Sequence, residues 1–249
     1  MPRSVLVPAV PAVFSLLILV GSPAFGANDL LVVGAFSQAP EGSLPPGWKP
    51  EIFKKGKKAK QTTYEVVRDG ETTVLRADSV GTASGLEHEV SVDLQEYPVL
   101  RWRWKVDNVV VAGDPRRKDK DDYAARVYVT FAFDADKASF GERLRYRTFR
   151  AVSGKLPFAA IAYIWASRTP VHTVTASPHM GGILNLIAVE NGDARVGQWV
   201  EEERNVYEDY RRAFGKEPPL VSGVAVMTDT DNTQERATAY YGDLVFAKE

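Results

Sequence analysis

Three groups of acidic residues stand where predicted strands begin or end, and carboxylates placed there could bind a cation. Asp121 and Asp122 precede "YAARVYVTFAF", Glu190 ends "LNLIAVE", and Asp229 and Asp231 belong to "TDTDNT". Calcium takes about six to eight oxygen ligands, mostly carboxylates and carbonyls. The pattern therefore allows a structural Ca²⁺ site assembled from separate loops by Asp122, Asp229 and Asp231.

The alternative for "TDTDNT" is a turn without metal. An EF-hand is excluded because Gln234 stands at the sixth position, where Gly is needed, and Tyr240 stands at the twelfth instead of Glu. Asp and Asn side chains often hydrogen-bond the backbone of their own turn. Sequence leaves both interpretations open.

A catalytic interpretation of the same acids requires two carboxyl groups about 5 to 10 Å apart in different environments. Glu190 ends a strongly apolar segment, so we expect it to be partly buried and able to act as an acid. Asp229 and Arg126 are its candidate partners. Other chemistries lack their signatures, since the chain has no G-x-S-x-G, no HExxH, no nucleotide-binding glycine pattern and no Cys.

Alternation along the strands indicates where a ligand could bind. In "LRWRWKV", Trp102 and Trp104 share one face, which we predict to be core, and Arg103 lies on the opposite, polar face. In "ARVYVTFAF", Arg126 and Tyr128 share the polar face. If the two strands lie in one sheet, Arg103, Arg126 and Tyr128 could bind an anionic or polyhydroxylated ligand; scattered surface charge is the alternative.

The elements that would position these residues are mostly short strands. We count about ten, with a hairpin at Asp69-Gly70, and "FAAIAYIW" adds Tyr163 and Trp165 as aromatic ligand-binding candidates. Apolar residues at steps of about three and four predict one amphipathic helix at about 199–214, with Gly215 as its C-cap. This pattern predicts a mainly β fold, a two-sheet jelly-roll-like sandwich.

The first 26 residues have the pattern of a signal peptide, with Arg3, an apolar core and small residues before the cleavage point. We expect an exported protein, periplasmic or extracellular, whose residues 27–249 form a single β-sandwich domain. The net charge of −1 does not suggest nucleic-acid binding, and no segment is suited to span a membrane. The basic run from Lys54 to Lys60 is predicted to be solvated and to protect a sheet edge.

Several segments carry a resemblance. "YPVLRWRWKVDN", "KDDYAARVYV", "AVENGDARVGQWVEEERNVYEDYRRAFG" and "GVAVMTDTDNTQERATAYYGD" resemble the bacterial exported family called domain of unknown function 3047, from about Leu30 to Phe246. That family implies no activity or catalytic residues. The order of the early loop, the hairpin and the final "YYGDLVF" is also similar to galactose-binding-like jelly-roll modules, which implies glycan binding and structural calcium. The region from Phe158 to Phe214 departs from those modules.

These observations together favour a non-catalytic protein that binds glycan or envelope polysaccharide. The alternatives are a polysaccharide hydrolase or lyase that uses Glu190, Asp229 and Arg126, and a structural or assembly protein of the envelope.

Overall fold

The structure is a computed structural model that describes residues 29–51, 60–136, 139–153 and 157–249. The predicted signal peptide, 1–26, lies outside the described residues, as does most of the basic run at Lys54 to Lys60. Export and the single-domain extent of 27–249 therefore stay predictions.

Within these residues the chain forms two sheets of seven strands each, here called sheet 1 and sheet 2. The strands of sheet 1 are β1 Leu30–Gly34, β3 Thr63–Asp69, β4 Thr72–Val80, β6 Val99–Val106, β11 Val200–Asn205, β13 Arg236–Tyr241 and β14 Leu244–Ala247. The strands of sheet 2 are β2 Lys49–Glu51, β5 Ala83–Val92, β7 Arg126–Phe131, β8 Ala159–Ala166, β9 Val174–Ser177, β10 Gly181–Asn191 and β12 Val221–Asp229.

Strand β6 is central in sheet 1. Its residues from Val99 onward pair with β11, and its other edge pairs first with β14 and then with β13. Sheet 2 runs in the order β2-β5-β12-β7-β8-β10-β9, and its pairs are antiparallel except for β8 with β10. The predicted mainly β fold of two packed sheets is confirmed.

Aromatic rings from β6 and β8 fill the space between the sheets. Trp102 lies 5.2 Å from Tyr163, and Trp104 lies 5.9 Å from Trp165, measured between ring centroids. All four side chains are buried. The prediction that Trp102 and Trp104 are core residues is confirmed. Burial of large aromatic rings is a major source of stabilisation in a core of this kind.

The predicted helix at about 199–214 is correct only in its second half. Helix α2 spans Val206–Phe214, and Val200–Asn205 form β11 instead. The helix begins where the Asn205 side chain accepts a hydrogen bond from Glu208 N at 2.9 Å, and it ends at Gly215, which has a φ of 69°. Pairing with β6 outweighs the helical spacing before Asn205 because β11 satisfies the backbone of that central strand.

A second helix, α1 Phe140–Ser153, was not predicted from the sequence. Its charged and aromatic residues alternate in "RLRYRTFR", and that spacing gives no clear helical stripe. Among the described residues, no helix has the length and apolar character needed to cross a membrane.

We expect Trp165→Ala to lower the free energy of unfolding by about 3–5 kcal/mol, because the substitution leaves a cavity in a closely packed core. It also removes the hydrogen bond from Trp165 Nε1 to Gly192 O. Chemical denaturation would measure the change. The control is Phe140→Ala, since Phe140 is 83% exposed; its effect should be about 0.5 kcal/mol or less. Equal effects would contradict the core assignment.

Candidate functional site

The outward face of sheet 1 carries a row of charged side chains. Trp102 and Trp104 point into the core, so strand alternation directs Arg101, Arg103 and Lys105 to the opposite side. Strand β11 places Glu203 opposite Arg101 and Glu201 opposite Arg103 in the strand register. Arg101 Nε donates to Glu203 Oε2 at 2.7 Å. The result is a sheet face with closely spaced positive and negative groups.

A break between β13 and β14 deepens this face beside Arg103. The Arg103 side chain packs directly on Gly242, where an added Cβ would lie 2.5 Å from Arg103 Cγ. The next residue, Asp243, accepts hydrogen bonds from Ser37 N at 2.8 Å and from Ser37 Oγ at 2.5 Å. A cavity of about 520 Å³ lies here, and the polar residues that line it include Ser37, Arg101, Arg103, Glu201, Glu202, Glu203 and Asp243. Only glycine at position 242 leaves room for the arginine.

A second depression, of about 500 Å³, continues from Arg103 to Trp199. Trp199 Nε1 donates to Asp69 Oδ2 at 2.6 Å, and Lys105 Nζ donates to Asp69 Oδ1 at 3.1 Å. The Arg103 guanidinium carbon lies 4.6 Å from the centroid of the Trp199 ring. Burial opposes ionisation of Asp69, but the hydrogen bonds from Trp199 and Lys105 lower its pKa. We call the two depressions together the outer groove.

Sequence reasoning identified Arg103 as a ligand-binding candidate and missed Trp199. Trp199 was assigned to the helix, where it would have been an apolar core position. The "VEEERN" of β11 that follows has no alternation of apolar and polar residues, so the sequence gives no clear signal that Trp199 lies beside a strand.

On the other sheet, Arg126 and Asp229 form a buried ion pair. Arg126 Nε donates to Asp229 Oδ1 at 3.0 Å, and Arg126 Nη2 donates to Asp229 Oδ2. Arg126 Nη1 also donates to the Tyr128 hydroxyl at 3.1 Å, and Nη2 to the Asp121 carbonyl at 2.5 Å. Arg126 and Asp229 are each no more than 3% exposed. The structure therefore brings together three predicted site residues, Arg126, Tyr128 and Asp229.

The pairing of β7 with β12 explains this arrangement. Arg126 is opposite Met227, so Asp229 lies two residues beyond, on the same face. This is the face of sheet 2 that points away from sheet 1, since Val127 belongs to the main core and Tyr128 packs on a second, smaller cluster. Burial raises the pKa of Asp229, with Arg126 opposing the change.

The three residues predicted to hold calcium also come together. Oxygens of Asp122, Asp229 and Asp231 lie within 4.8 Å of one another. Asp122 Oδ2 accepts from Thr233 N at 2.6 Å and from Thr233 Oγ1 at 2.7 Å, so the turn after β12 already uses this carboxylate. Asp229 is already engaged by Arg126. These donors account for the arrangement without an ion, and calcium binding stays a prediction.

Glu190 does not join Arg126 and Asp229, contrary to the catalytic set expected from the sequence. It lies opposite Trp165 in the register of β10 with β8, and so on the inner face of sheet 2. A bulge between Ala188 and Glu190 produces this placement. Glu190 Oε1 accepts a hydrogen bond from Arg195 Nη1 at 2.5 Å.

The acid near Glu190 is Glu202, which the sequence did not single out. Glu202 Oε1 accepts a hydrogen bond from Trp104 Nε1 at 3.1 Å. Burial and then the charge of Glu190 raise the pKa of Glu202 to about 7, while the hydrogen bond from Trp104 opposes the shift. Glu202 was overlooked because "VEEERN" was assigned to the predicted helix.

Two other expectations about ligand contacts are wrong. Tyr163 and Trp165 are core residues, and the Tyr163 hydroxyl donates to Asp209 Oδ2 at 2.9 Å, so neither ring faces a ligand. Arg103 does not share a surface with Arg126 and Tyr128, because β6 and β7 belong to different sheets whose outer faces point in opposite directions. Alternation predicts the face of a strand but not the sheet that contains it.

We expect Arg126→Ala to lower the free energy of unfolding by about 3–5 kcal/mol, because it leaves the buried Asp229 carboxyl group without its partner. Denaturation at pH 7 would measure this. Arg68→Ala is the control; it removes the exposed ion pair with Glu41, with side chains 59% and 48% exposed. The control should lose less than about 1 kcal/mol. An Arg126 variant as stable as the control would contradict the structural role.

We expect Glu202→Gln to change how stability depends on pH. A pKa near 7 in the fold, against 4.5 ordinarily, means that folding favours protonated Glu202. This stabilisation is complete below pH 4.5 and is lost as the pH rises through 7. Gln mimics the protonated form at every pH. The Tm of the variant minus the Tm of wild type should therefore be larger at pH 8 than at pH 5.

Thermal unfolding across this range would check the shift. The control is Glu201→Gln, the neighbouring residue on the exposed face. A Glu202 variant whose pH profile parallels that of wild type would show that Glu202 titrates normally.

Comparison with known proteins gives a family and a number of distant structural likenesses. An endoglucanase 3 of family GH12 from Trichoderma harzianum has a TM-score of 0.40 and 8% identity, with 91% of this chain and 100% of that chain covered. A cellulase derived from Cel12A of Rhodothermus marinus has a TM-score of 0.37 and 14% identity, with 76% of this chain and 88% of that chain covered. The Endo-D glycoside hydrolase domain from Streptococcus pneumoniae R6 has a TM-score of 0.33 and 10% identity. The match covers 81% of this chain but only 21% of that chain.

A search of the curated proteins found no relative of the chain. A family model, in contrast, matches residues 46–245, which include both sheets except β1, the end of β14 and the residues beyond. The chain belongs to the family described as "Protein of unknown function (DUF3047)".

Proposed function

We propose that the protein binds a polysaccharide, without cleaving it, in the outer groove. The observation that carries this proposal is the combination of Trp199 with ion-paired, planar polar groups on adjacent strands. Guanidinium and carboxylate groups can each make two hydrogen bonds to neighbouring sugar hydroxyls. An indole ring offers an apolar surface against which a pyranose ring can pack. The groove contains both kinds of group, linked through Arg103.

The shape of the groove favours a polymer over a single sugar. Its two depressions, of about 520 and 500 Å³, share Arg103 and are open to solvent along the sheet. Each alone is within the usual range for a small-ligand site, about 300–1,000 Å³. A chain of sugar units could occupy both, with Arg103 between adjacent units. The predicted signal peptide would place such a polymer in the envelope or outside the cell.

The charges in the groove favour binding over hydrolysis. A glycoside hydrolase needs one carboxylic acid that holds a proton for the leaving group. Glu202, whose pKa is raised to about 7, borders the first depression, but its side chain points to the inner face, where Oε1 accepts a hydrogen bond from Trp104 Nε1. On the outer face, Glu203 is paired with Arg101, Asp243 accepts two hydrogen bonds from Ser37, and the pKa of Asp69 is lowered. These groups are suited to accept hydrogen bonds from hydroxyls. The alternative hydrolase based on Glu190, Asp229 and Arg126 has no assembled site, because Glu190 lies on the inner face of sheet 2 whereas Arg126 and Asp229 are paired on its outer face.

The test is binding of soluble polysaccharides, neutral and acidic, by calorimetry and by retardation in affinity gels. We expect Trp199→Ala and Arg103→Ala each to weaken binding by about tenfold or more, equivalent to about 1.4 kcal/mol. The control is Arg211→Ala, an exposed arginine on α2 outside the groove. Circular dichroism would confirm that the variants fold.

Absence of binding across the panel, or equal losses in the control, would overturn the proposal. Release of new reducing ends by the wild-type protein would show a hydrolase instead.

A further inference from the structure

A separate cavity of about 560 Å³, here called the basic cavity, lies between the β6–β7 connection and the β8–β9 connection. Four basic residues and one acidic residue line it, together with three threonines whose hydroxyls could donate hydrogen bonds. The charged residues are Arg116, Arg117, Lys120, Arg168 and Asp114. The whole chain has a net charge of −1, so this concentration of positive charge is local.

Among the residues that the structure describes, two of the four basic groups have no acidic partner. Arg116 donates to both oxygens of Asp114, at 2.9 and 3.0 Å, and Arg117 donates to both oxygens of Asp119, at 3.1 and 2.7 Å. Across the part of the chain that the structure describes, neither Lys120 nor Arg168 has a carboxylate within ion-pair distance. The cavity therefore has uncompensated positive charge.

The walls of the cavity are fixed by contacts that need no ligand. Gly113 packs so closely on the Asp122 carbonyl that an added Cβ would lie 2.6 Å from it. The Ser167 hydroxyl donates to the Val110 carbonyl, which joins the two connections. The Glu235 carboxylate accepts hydrogen bonds from the backbone N–H groups of Val111 and Ala112, each at 2.9 Å. A preformed wall lowers the ordering cost of binding.

We propose that this cavity binds oxyanion groups of the phosphate, sulfate or carboxylate type. The forked donors of arginine match such groups in geometry, and lysine adds a compact positive charge. Arg116 and Arg117 use Nε and Nη2 to donate to Asp114 and Asp119, which leaves the Nη1 group of each arginine to donate to a ligand. The same chemistry could be supplied by a free anion or by a charged polymer. This site is independent of the outer groove and would serve a different part of a ligand or a different ligand.

The experiment measures binding of sodium sulfate, inorganic phosphate, sulfated dextran and neutral dextran by calorimetry at low ionic strength. The test variant is the double substitution Lys120→Ala/Arg168→Ala. Lys118→Ala is the matched control, because Lys118 belongs to the same connection but does not line the cavity. We expect the anions to bind, the double variant to weaken their binding by about tenfold or more, and the control to stay within about twofold.

Two further comparisons distinguish a free anion from a charged polymer, and this cavity from the outer groove. Tighter binding of sulfated dextran than of sulfate would indicate a polymer, and equal binding a free ion; neutral dextran should not compete for this cavity. Binding should weaken with added salt, because the pairing is electrostatic. The Trp199→Ala and Arg103→Ala variants should retain anion binding.

The proposal is overturned if no anion binds at low ionic strength, or if the control loses as much as the double variant. It is also overturned if anion binding is lost in the outer-groove variants, since that would assign the anion to the outer groove.

Discussion

The packing of β6 against β8 is the contact on which the other features depend. Trp102 and Trp104 meet Tyr163 and Trp165 between the sheets, and these large rings fix the separation and register of the two layers. Because neighbouring residues of a strand point to opposite faces, burying the two tryptophans leaves Arg103 on the outside. The core and the outer groove are thus two consequences of one alternating segment.

The Arg126–Asp229 pair has a different role from the exposed ion pairs. Burying two charges is costly, and a buried pair stabilises only when its remaining donors and acceptors are also satisfied. Arg126 meets this condition through Tyr128 and the Asp121 carbonyl, while Tyr123 N donates to Asp229 Oδ1 at 3.2 Å. The pair therefore joins the start of β7 to the end of β12. It also fixes the end of the connection that forms the basic cavity.

The sequence was informative wherever alternation alone decides the outcome. It predicted the mainly β fold, the buried face of β6 and the charged face that carries Arg103. It also named Asp122, Asp229 and Asp231, whose carboxylates meet. It could not assign strands to sheets, since that depends on pairing between distant segments, and so Arg103 was wrongly grouped with Arg126.

The other errors have local causes. The β-bulge before Glu190 reverses the direction of that side chain, and no residue pattern in "LNLIAVE" announces it. Val200–Asn205 has charged residues suited to a helix surface, but pairing with β6 makes it a strand and places Trp199 and Glu202 in unexpected surroundings. Tertiary pairing outweighs local preference in both cases.

If the outer groove and the basic cavity bind ligands as proposed, stability and recognition are carried by different charged groups. Exposed pairs such as Arg101–Glu203 contribute little to stability, about 0 to 1 kcal/mol. Yet each acidic partner restricts a long, flexible side chain, and ordering such a side chain on binding otherwise costs about 0.5–1.5 kcal/mol. Under these proposals the acids beside Arg101 and Arg117 hold donors in place and contribute little to the fold. We therefore expect substitutions in the outer groove and in the basic cavity to change binding while the core and the Arg126–Asp229 pair keep the sandwich intact.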